Sequence, residues 1–397
     1  MTATADAEAS ARVTWSILAE PGDSVAGELI DRFGAIESLV LIRRAVRAGP
    51  GEIAERIGDA PSFADGPERV RSELVKALAR WGPRVAGADP VAAVHAGAAV
   101  GARLVLPGDP GWPTGLDDLG PHAPFVLWSR SEQEDPVGTA GCVGAMAVVG
   151  CRANTVAGAE ATAEITSTAV DSGIEIVSGG AYGIDAVAHR VAVAAGTPTT
   201  AVLAGGIDQF YPAGNHELLR NVLGRGRVLS ESPPGTRPTR WRFLARNRLI
   251  AALSDATVVV EAAARSGALN TAHHALQLGR PVFAVPGAFS SAASVGCHRL
   301  IAEGNAQIVV APRDPVAAVL PGAAAASGGA RHAEATVLTT GSDPHVQRTL
   351  DALERRPLPV EEVARRSGLS VDDAADALAL AQLEGLVANL ADGWCRR

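Results

Sequence analysis

Across residues 145–310 short, nearly continuous apolar runs alternate with longer stretches in which apolar residues recur at helical spacing. The runs at 145–149, 175–178, 199–203, 228–229, 257–261, 282–285 and 307–310 read as strands, and 159–170, 184–195 and 269–278 as helices between them. Strands that are apolar throughout and joined by helices belong to a mainly parallel sheet covered on both faces. The pattern therefore predicts an α/β fold, a Rossmann-like doubly wound sheet.

The flanks have other periods. From Ala26 to about Gly101 apolar residues such as Leu29, Ile30 and Phe33, then Val70, Leu74 and Leu78, fall at helical spacing, so residues 1–102 are expected to form a small helical domain. Pro107, Pro110, Pro113, Pro121 and Pro124 then break helices, while 104–106 and 125–128 read as short strands, an extended entry into a core domain at 103–320. Residues 321–342 turn to Ala, Gly, Ser and Thr, a linker composition. In 343–397 three helical patterns, 346–353, 360–366 and 371–383, precede a hairpin at 386–390 and 393–395, which is winged-helix order. The third of these helices carries Asp372, Asp373 and Asp376 and no basic residue. Phosphate would repel it, so it is expected to contact protein or serve structure rather than read duplex DNA, and removing 343–397 should cost little affinity for any nucleic acid bound elsewhere on the chain.

Composition narrows the chemistry. The 397 residues are 47% hydrophobic and 20% charged, enough for a real core. The first fifteen residues have neither a basic flank nor an apolar stretch, and no run approaches the roughly 18 apolar residues of a membrane span, so a cytoplasmic location is expected. Cys142, Cys151, Cys297 and Cys395 form no CxxC pair, which argues against a metal site or a disulfide framework. Lys76 is the one lysine among 35 basic residues and lies far from the glycine-bearing turns, which excludes a P-loop and Schiff-base chemistry. At a net charge of −8, any contact with nucleic acid must come from a local patch.

Ligands of open α/β sheets bind outside the carboxyl ends of the strands, where helix N-termini offer backbone N–H groups to anions. Three glycine-bearing turns fall at that edge. The first contains Gly150, Arg152 and Thr155, the second Ser178, Gly179, Gly180 and Gly183, and the third Ser266, Gly267 and Thr271. One such turn commonly serves only a tight connection; three on one edge point to a site. The local patch is residues 237–248, with five arginines, Trp241, Phe243 and no acid, leading into apolar 249–253. Guanidinium groups hold phosphates and aromatic rings stack on bases, a combination suited to a single strand.

These residues carry a resemblance. Val148-Val149-Gly150-Cys151-Arg152, the block 178–185 with Ala188-His189-Arg190, Leu203-Ala204-Gly205-Gly206-Ile207-Asp208 with Tyr211-Pro212, Ser230-Glu231, the block 243–250, Glu261-Ala262 with 266–272, and Ala284-Val285-Pro286-Gly287 resemble, in order and spacing, the core of the DNA processing protein A (DprA/Smf) family across about 103–311. The resemblance implies a protein that binds single-stranded DNA, protects it and loads the RecA recombinase during DNA uptake and recombination, usually as a homodimer; no catalytic residue, cofactor, metal or membrane contact is expected. Carried over, it places DNA contacts at Arg152, at the 178–183 turn, and at Phe243, Arg246, Asn247 and Arg248. Tyr182 stands where the family commonly has arginine, and His298 where asparagine is usual.

Two enzyme readings compete. A dinucleotide-dependent dehydrogenase needs GxGxxG in the first turn and an acid ending the second strand; after Gly150 the next glycine is Gly158, and the second strand ends at Ser178. A nucleotide-processing enzyme of the lysine-decarboxylase-like, cytokinin-activating kind shares the sheet but resembles Pro-Gly-Gly-x-Gly-Thr-x-x-Glu at its site, a string absent here. Asp185, Glu231 and Glu261 are the available acids, and carboxylates near helix N-termini more often cap the helix.

Overall fold

A computed structural model describes residues 3–49, 51, 53, 67–133, 141–320, 344–354, 356–383, 386–390 and 392–396. The linker expected at 321–342 lies outside them. Nine strands of the described residues form one sheet: β1 (Ala102–Val105), β2 (Leu127–Arg130), β3 (Gly144–Val149), β4 (Ile174–Ser178), β5 (Thr199–Val202), β6 (Arg227–Ser230), β7 (Ala256–Val259), β8 (Val282–Ala284) and β9 (Gln307–Ile308). Their spatial order is β1-β2-β6-β5-β4-β3-β7-β8-β9. From β6 through β9 every pairing is parallel, whereas β2 joins β6, and β1 joins β2, antiparallel. The proline-punctuated entry segment thus supplies two edge strands of the sheet itself.

The chain moves outward from β3 through β4, β5 and β6, then restarts on the other side of β3 with β7. In open α/β sheets ligands bind where the strand order reverses, which here falls at the carboxyl ends of β3 and β7. On one face the helices α5 (Val156–Asp171) and α6 (Ile184–Ala195) pack over Met146, Val148, Ile176 and Val258. On the other, α8 (Arg240–Ala252) and α9 (Gly267–Gln277) cover Ala147, Val149, Val177 and Val259. Between these pairs the short α7 (His216–Leu223) buries Leu219 and Val222 against β5 and β6. Two more short helices, α10 (Val295–Ala302) and α11 (Arg313–Val319), complete the layers. No helix of the described residues is long and apolar enough to cross a membrane.

Ahead of the sheet, α1 (Ala3–Leu18), α2 (Ser24–Ala48) and α3 (Pro67–Val85) enclose Trp15, Leu29, Ile42 and Trp81, while α4 (Pro90–Ala99) packs against α1 and β1. The hydrophobic pattern placed no element at α1, because its alanine-rich sequence supplies few large apolar residues; Val13, Trp15 and Leu18 nonetheless bury it. Asp23 organises this region. It caps α2 by accepting from the Ala26 amide (3.3 Å), accepts from the Trp81 indole (3.1 Å) and pairs with Arg80 (3.1 Å).

Beyond the core, α12 (Pro344–Ala352), α13 (Val360–Ser367) and α14 (Val371–Leu383) pack with the hairpin β10 (Val387–Leu390) and β11 (Gly393–Arg396) around Val346, Leu350, Val363 and Leu378. The acidic α14 faces the N-terminal helices: Lys76 pairs with Asp372 at 2.7 Å. Burial, then the charge of Asp373, pushes the Glu28 carboxyl up to about 7, and burial followed by a hydrogen bond with Asp372 does the same to Glu73. Both bind protons more tightly here than at their ordinary 4.5. The contact is therefore favoured with these carboxyls protonated and weakens as pH rises from 4.5 through about 7. Lys76, Asp23 with its partner Arg80, Asp31, His345 and Arg348 also lie around it. Hydrogen exchange in 371–383 and 67–85, corrected for intrinsic rates, should be faster at pH 8.5 than at pH 6; equal protection at both would show that these carboxyls do not govern the contact.

Candidate nucleic-acid interface

Each glycine turn emerges from a strand end, and internal hydrogen bonds shape each one. In the first, Gly150 has no room for a side chain: a Cβ would lie 2.4 Å from Ile184 Cγ1. Thr155 caps α5 by accepting from the Gly158 amide (3.0 Å). The buried Glu261 carboxylate accepts from the Thr155 amide (3.0 Å), the Thr155 hydroxyl (2.6 Å) and the Cys151 thiol (3.2 Å). Burial and that hydrogen bond push the Cys151 thiol up to about 12, so it remains protonated.

In the second turn Ser178 is fully buried and donates to Val148 O (2.7 Å). Asp185, in the first turn of α6, accepts from the Gly179 amide (3.1 Å) and the Ala181 amide (3.3 Å). Asn215 donates to Gly180 O and Ala181 O from the other side. Gly183 is demanded twice over: its φ is +79°, and a Cβ would sit 2.2 Å from Cys151 O. The third turn is capped by Ser266, which accepts from the Ala268 amide (3.3 Å); Gly267 is exposed and Thr271 buried.

The arginine run forms most of α8, and its side chains part company. Arg246 is buried at 5% exposure; its Nη1 donates to Gly179 O (2.9 Å) and to Val202 O, and its Nε to Asn247 Oδ1 (3.3 Å). Burial lowers its pKa to about 10, which leaves it charged at neutral pH. Phe243 lies half-buried with the exposed Arg152 guanidinium 4.8 Å from its ring centroid, Arg246 at 5.9 Å and the Tyr211 ring at 5.5 Å. Asn247 donates to Gly267 O (3.0 Å) and to Asn270 Oδ1 (3.2 Å), joining the patch to the third turn. The fold thus brings Arg152, Phe243, Arg246, Asn247 and the second and third turns together.

Arg248 points elsewhere. Its guanidinium, buried at 3% exposure, pairs with Glu231 through bonds of 2.7 and 2.6 Å and donates to His122 O (2.9 Å). Arg242 binds Glu20 (3.1 Å), while Arg237 and Arg240 are exposed. Sequence spacing missed Tyr211, Asn215 and Asn270, which arrive from separate loops and helices. Asp185 and Glu261 were readable as caps, but not as the groups that engage the amides of the first two turns. A separate cavity of about 540 Å³ opens between the N-terminal helices and the 231–236 loop. Its arginines, Arg84 and Arg242, both pair with Glu20.

Residues 103–319 match the family model for DNA recombination-mediator protein A, and residues 333–393 that for the DprA winged helix domain. The chain belongs to the DprA/Smf family. It is 36% identical over 392 residues to a DNA processing protein DprA of Mycobacterium tuberculosis, covering 98% of this chain and 94% of that one. It is 42% identical over 172 residues to DprA of Streptococcus pneumoniae, 43% of this chain and 60% of that protein. An X-ray structure of DprA from Streptococcus pneumoniae superposes with a TM-score of 0.57 at 28% identity, covering 77% of this chain and 95% of that one. Against the DprA pattern, the Tyr182 hydroxyl accepts from the Gly214 amide (3.1 Å), and its ring is 46% exposed at the rim of the second turn. His298, the other departure, sits 3.0 Å from Gly287 O.

Proposed function

We propose that this protein binds single-stranded DNA at the carboxyl edge of its sheet, protects it and loads the RecA recombinase onto it in DNA uptake and recombination, acting as a cytoplasmic homodimer without catalytic turnover. One observation carries the reading: two arginines converge on the face of Phe243 beside the second glycine turn, on a chain of net charge −8. Cations beside exposed aromatic faces hold a strand by phosphate contact and base stacking without reading sequence. Membership of the DprA family supports the same role. Arg152 supplies the outward charge, Phe243, Tyr211 and Tyr182 the stacking surface, and Arg246 and Asn247 the rigid floor. Gly183 lets backbone pass close to backbone, Gly150 leaves room for Ile184, Gly179 for the Arg246 guanidinium and Gly180 for Leu219, while Thr155, Ser178 and Ser266 brace the turns and Thr271 is buried. The site's acids favour a binding role over catalysis, since Asp185 and Glu261 both accept from backbone amides.

A salt titration of binding to oligothymidylate and to a duplex, run beside a nucleotide-hydrolysis assay, tests this. Strong single-strand preference without turnover is expected; hydrolysis of a mononucleotide would overturn it. Because Arg152 is exposed, Arg152→Ala should leave the unfolding midpoint unchanged. It should lower the slope of log K against log salt by about 0.7, one phosphate contact on a single strand. An unaltered slope would remove Arg152 from the interface.

A further inference from the structure

A chain of side-chain hydrogen bonds leaves the second glycine turn and ends in the C-terminal domain. Arg246 donates from Nη1 to Gly179 O (2.9 Å) and from Nε to Asn247 Oδ1 (3.3 Å). Asn247 Nδ2 donates to Gly267 O (3.0 Å) and to Asn270 Oδ1 (3.2 Å), and Asn270 Nδ2 donates to Asp351 Oδ2 in α12. Gln347 donates to the other carboxyl oxygen of Asp351 (3.2 Å). Every link points the same way, from a guanidinium that can only donate toward a carboxyl oxygen that accepts. Turning either asparagine amide would set donor against donor at one end of its span, so the two ends together fix the orientation of both. Chains with charged ends polarise their members, and their links support one another.

We propose that the C-terminal domain sets the geometry of the strand-binding turns, with Asp351 as the positioning residue that orients Asn270 and Asn247 and, through them, the Gly267 turn and the Arg246 guanidinium. The inference rests on the single-strand reading given above. It assigns the winged-helix domain a part in strand binding that its acidic third helix does not reveal, and replaces the expectation that the domain is dispensable for affinity. Burial pushes the Asp351 carboxyl up to about 7 against the pull of Arg396 and Arg240. In either protonation state an oxygen remains to accept from Asn270. Docking of the domain does not hang on Asp351 alone: Arg348 donates to Gly22 O (2.9 Å) and Lys76 pairs with Asp372 (2.7 Å). The relay can therefore be cut while the domain stays in place.

The full-length protein, Asp351→Ala and Asp351→Asn are compared for oligothymidylate binding across salt and for hydrogen exchange without DNA. Asp351→Ala should bind about 3- to 10-fold more weakly, the effect of one net hydrogen bond, with an unchanged salt slope because no phosphate contact is lost. Asp351→Asn keeps an acceptor and should bind within about twofold of the parent protein. Exchange in 178–183 and 266–270 should quicken in Asp351→Ala alone. Parent-like affinity and exchange in Asp351→Ala, or equal losses in both variants, would overturn the relay. A failure of the parent protein to bind oligothymidylate would instead sink the single-strand reading, and the exchange data would still decide the relay. If Asp351→Ala does not fold, Asn270→Ala cuts the same link from the core side and reads out identically.

Discussion

Arg246→Ala is expected to lower stability by roughly 3–5 kcal/mol, the usual cost of removing one member of a buried charged network. Two losses combine. Gly179 O and Val202 O lose a donor in a buried position, at about 1–3 kcal/mol for each group left unpaired. Asp185, fully buried at the start of α6, also loses the cation that opposes the effect of burial on its carboxyl. With Arg246 present, burial raises the pKa of Asp185 and the guanidinium pulls it back; without Arg246 the carboxyl should protonate more readily and its grip on the Gly179 and Ala181 amides should loosen. Urea unfolding of the purified variant measures the loss, and a change below about 1 kcal/mol would contradict the structural role argued for this side chain. Arg246→Lys should fall between the two, because an ammonium keeps the charge but lacks the fork that reaches Gly179 O, Val202 O and Asn247 together. Strand affinity should fall with stability in these variants, whereas Arg152→Ala separates the two.

Much of the sheet was legible because its strands are buried on both faces and read as unbroken apolar runs. The run 145–149 became Gly144–Val149, and 175–178 became Ile174–Ser178. The edge strands β1 and β2 were seen as extended but not as members of the sheet, since strand pairing is non-local and four residues carry no register. In the candidate site, the meeting of Arg152 with the second turn could be anticipated from strand ends, whereas Phe243 lies within α8 and was tied to them only by the arginine-rich patch and the family resemblance. The fates of the individual arginines could not be anticipated. Helix α8 enters the junction of the sheet, the N-terminal helices and the C-terminal domain, so residues 246–252 are buried on every side and no helical face remains to separate core from solvent. Along such a segment an arginine that touches solvent and one sealed against a carboxylate look alike. His189, on α6, is likewise fully buried, with its ring against the Thr199 hydroxyl (2.9 Å).

Arg248 is where these two kinds of arginine are most easily confused, and its replacement distinguishes them. As a phosphate contact, Arg248→Ala would leave stability intact and lower the salt slope by about 0.7. As the structure places it, the side chain bridges Glu231, His122 O and Ala245 O, and a Cβ at Gly22, whose φ is +77°, would come within 3.1 Å of its Nε. Truncation should then strand the buried Glu231 carboxylate and cost roughly 3–5 kcal/mol, with the slope of the remaining folded protein unchanged. Replacing both partners, Arg248→Met with Glu231→Gln, should recover much of that loss, because a buried pair removed together leaves no lone charge behind. If the single variant instead keeps its unfolding midpoint and loses salt dependence, Arg248 reaches the strand, and the junction of the three regions must open when DNA binds.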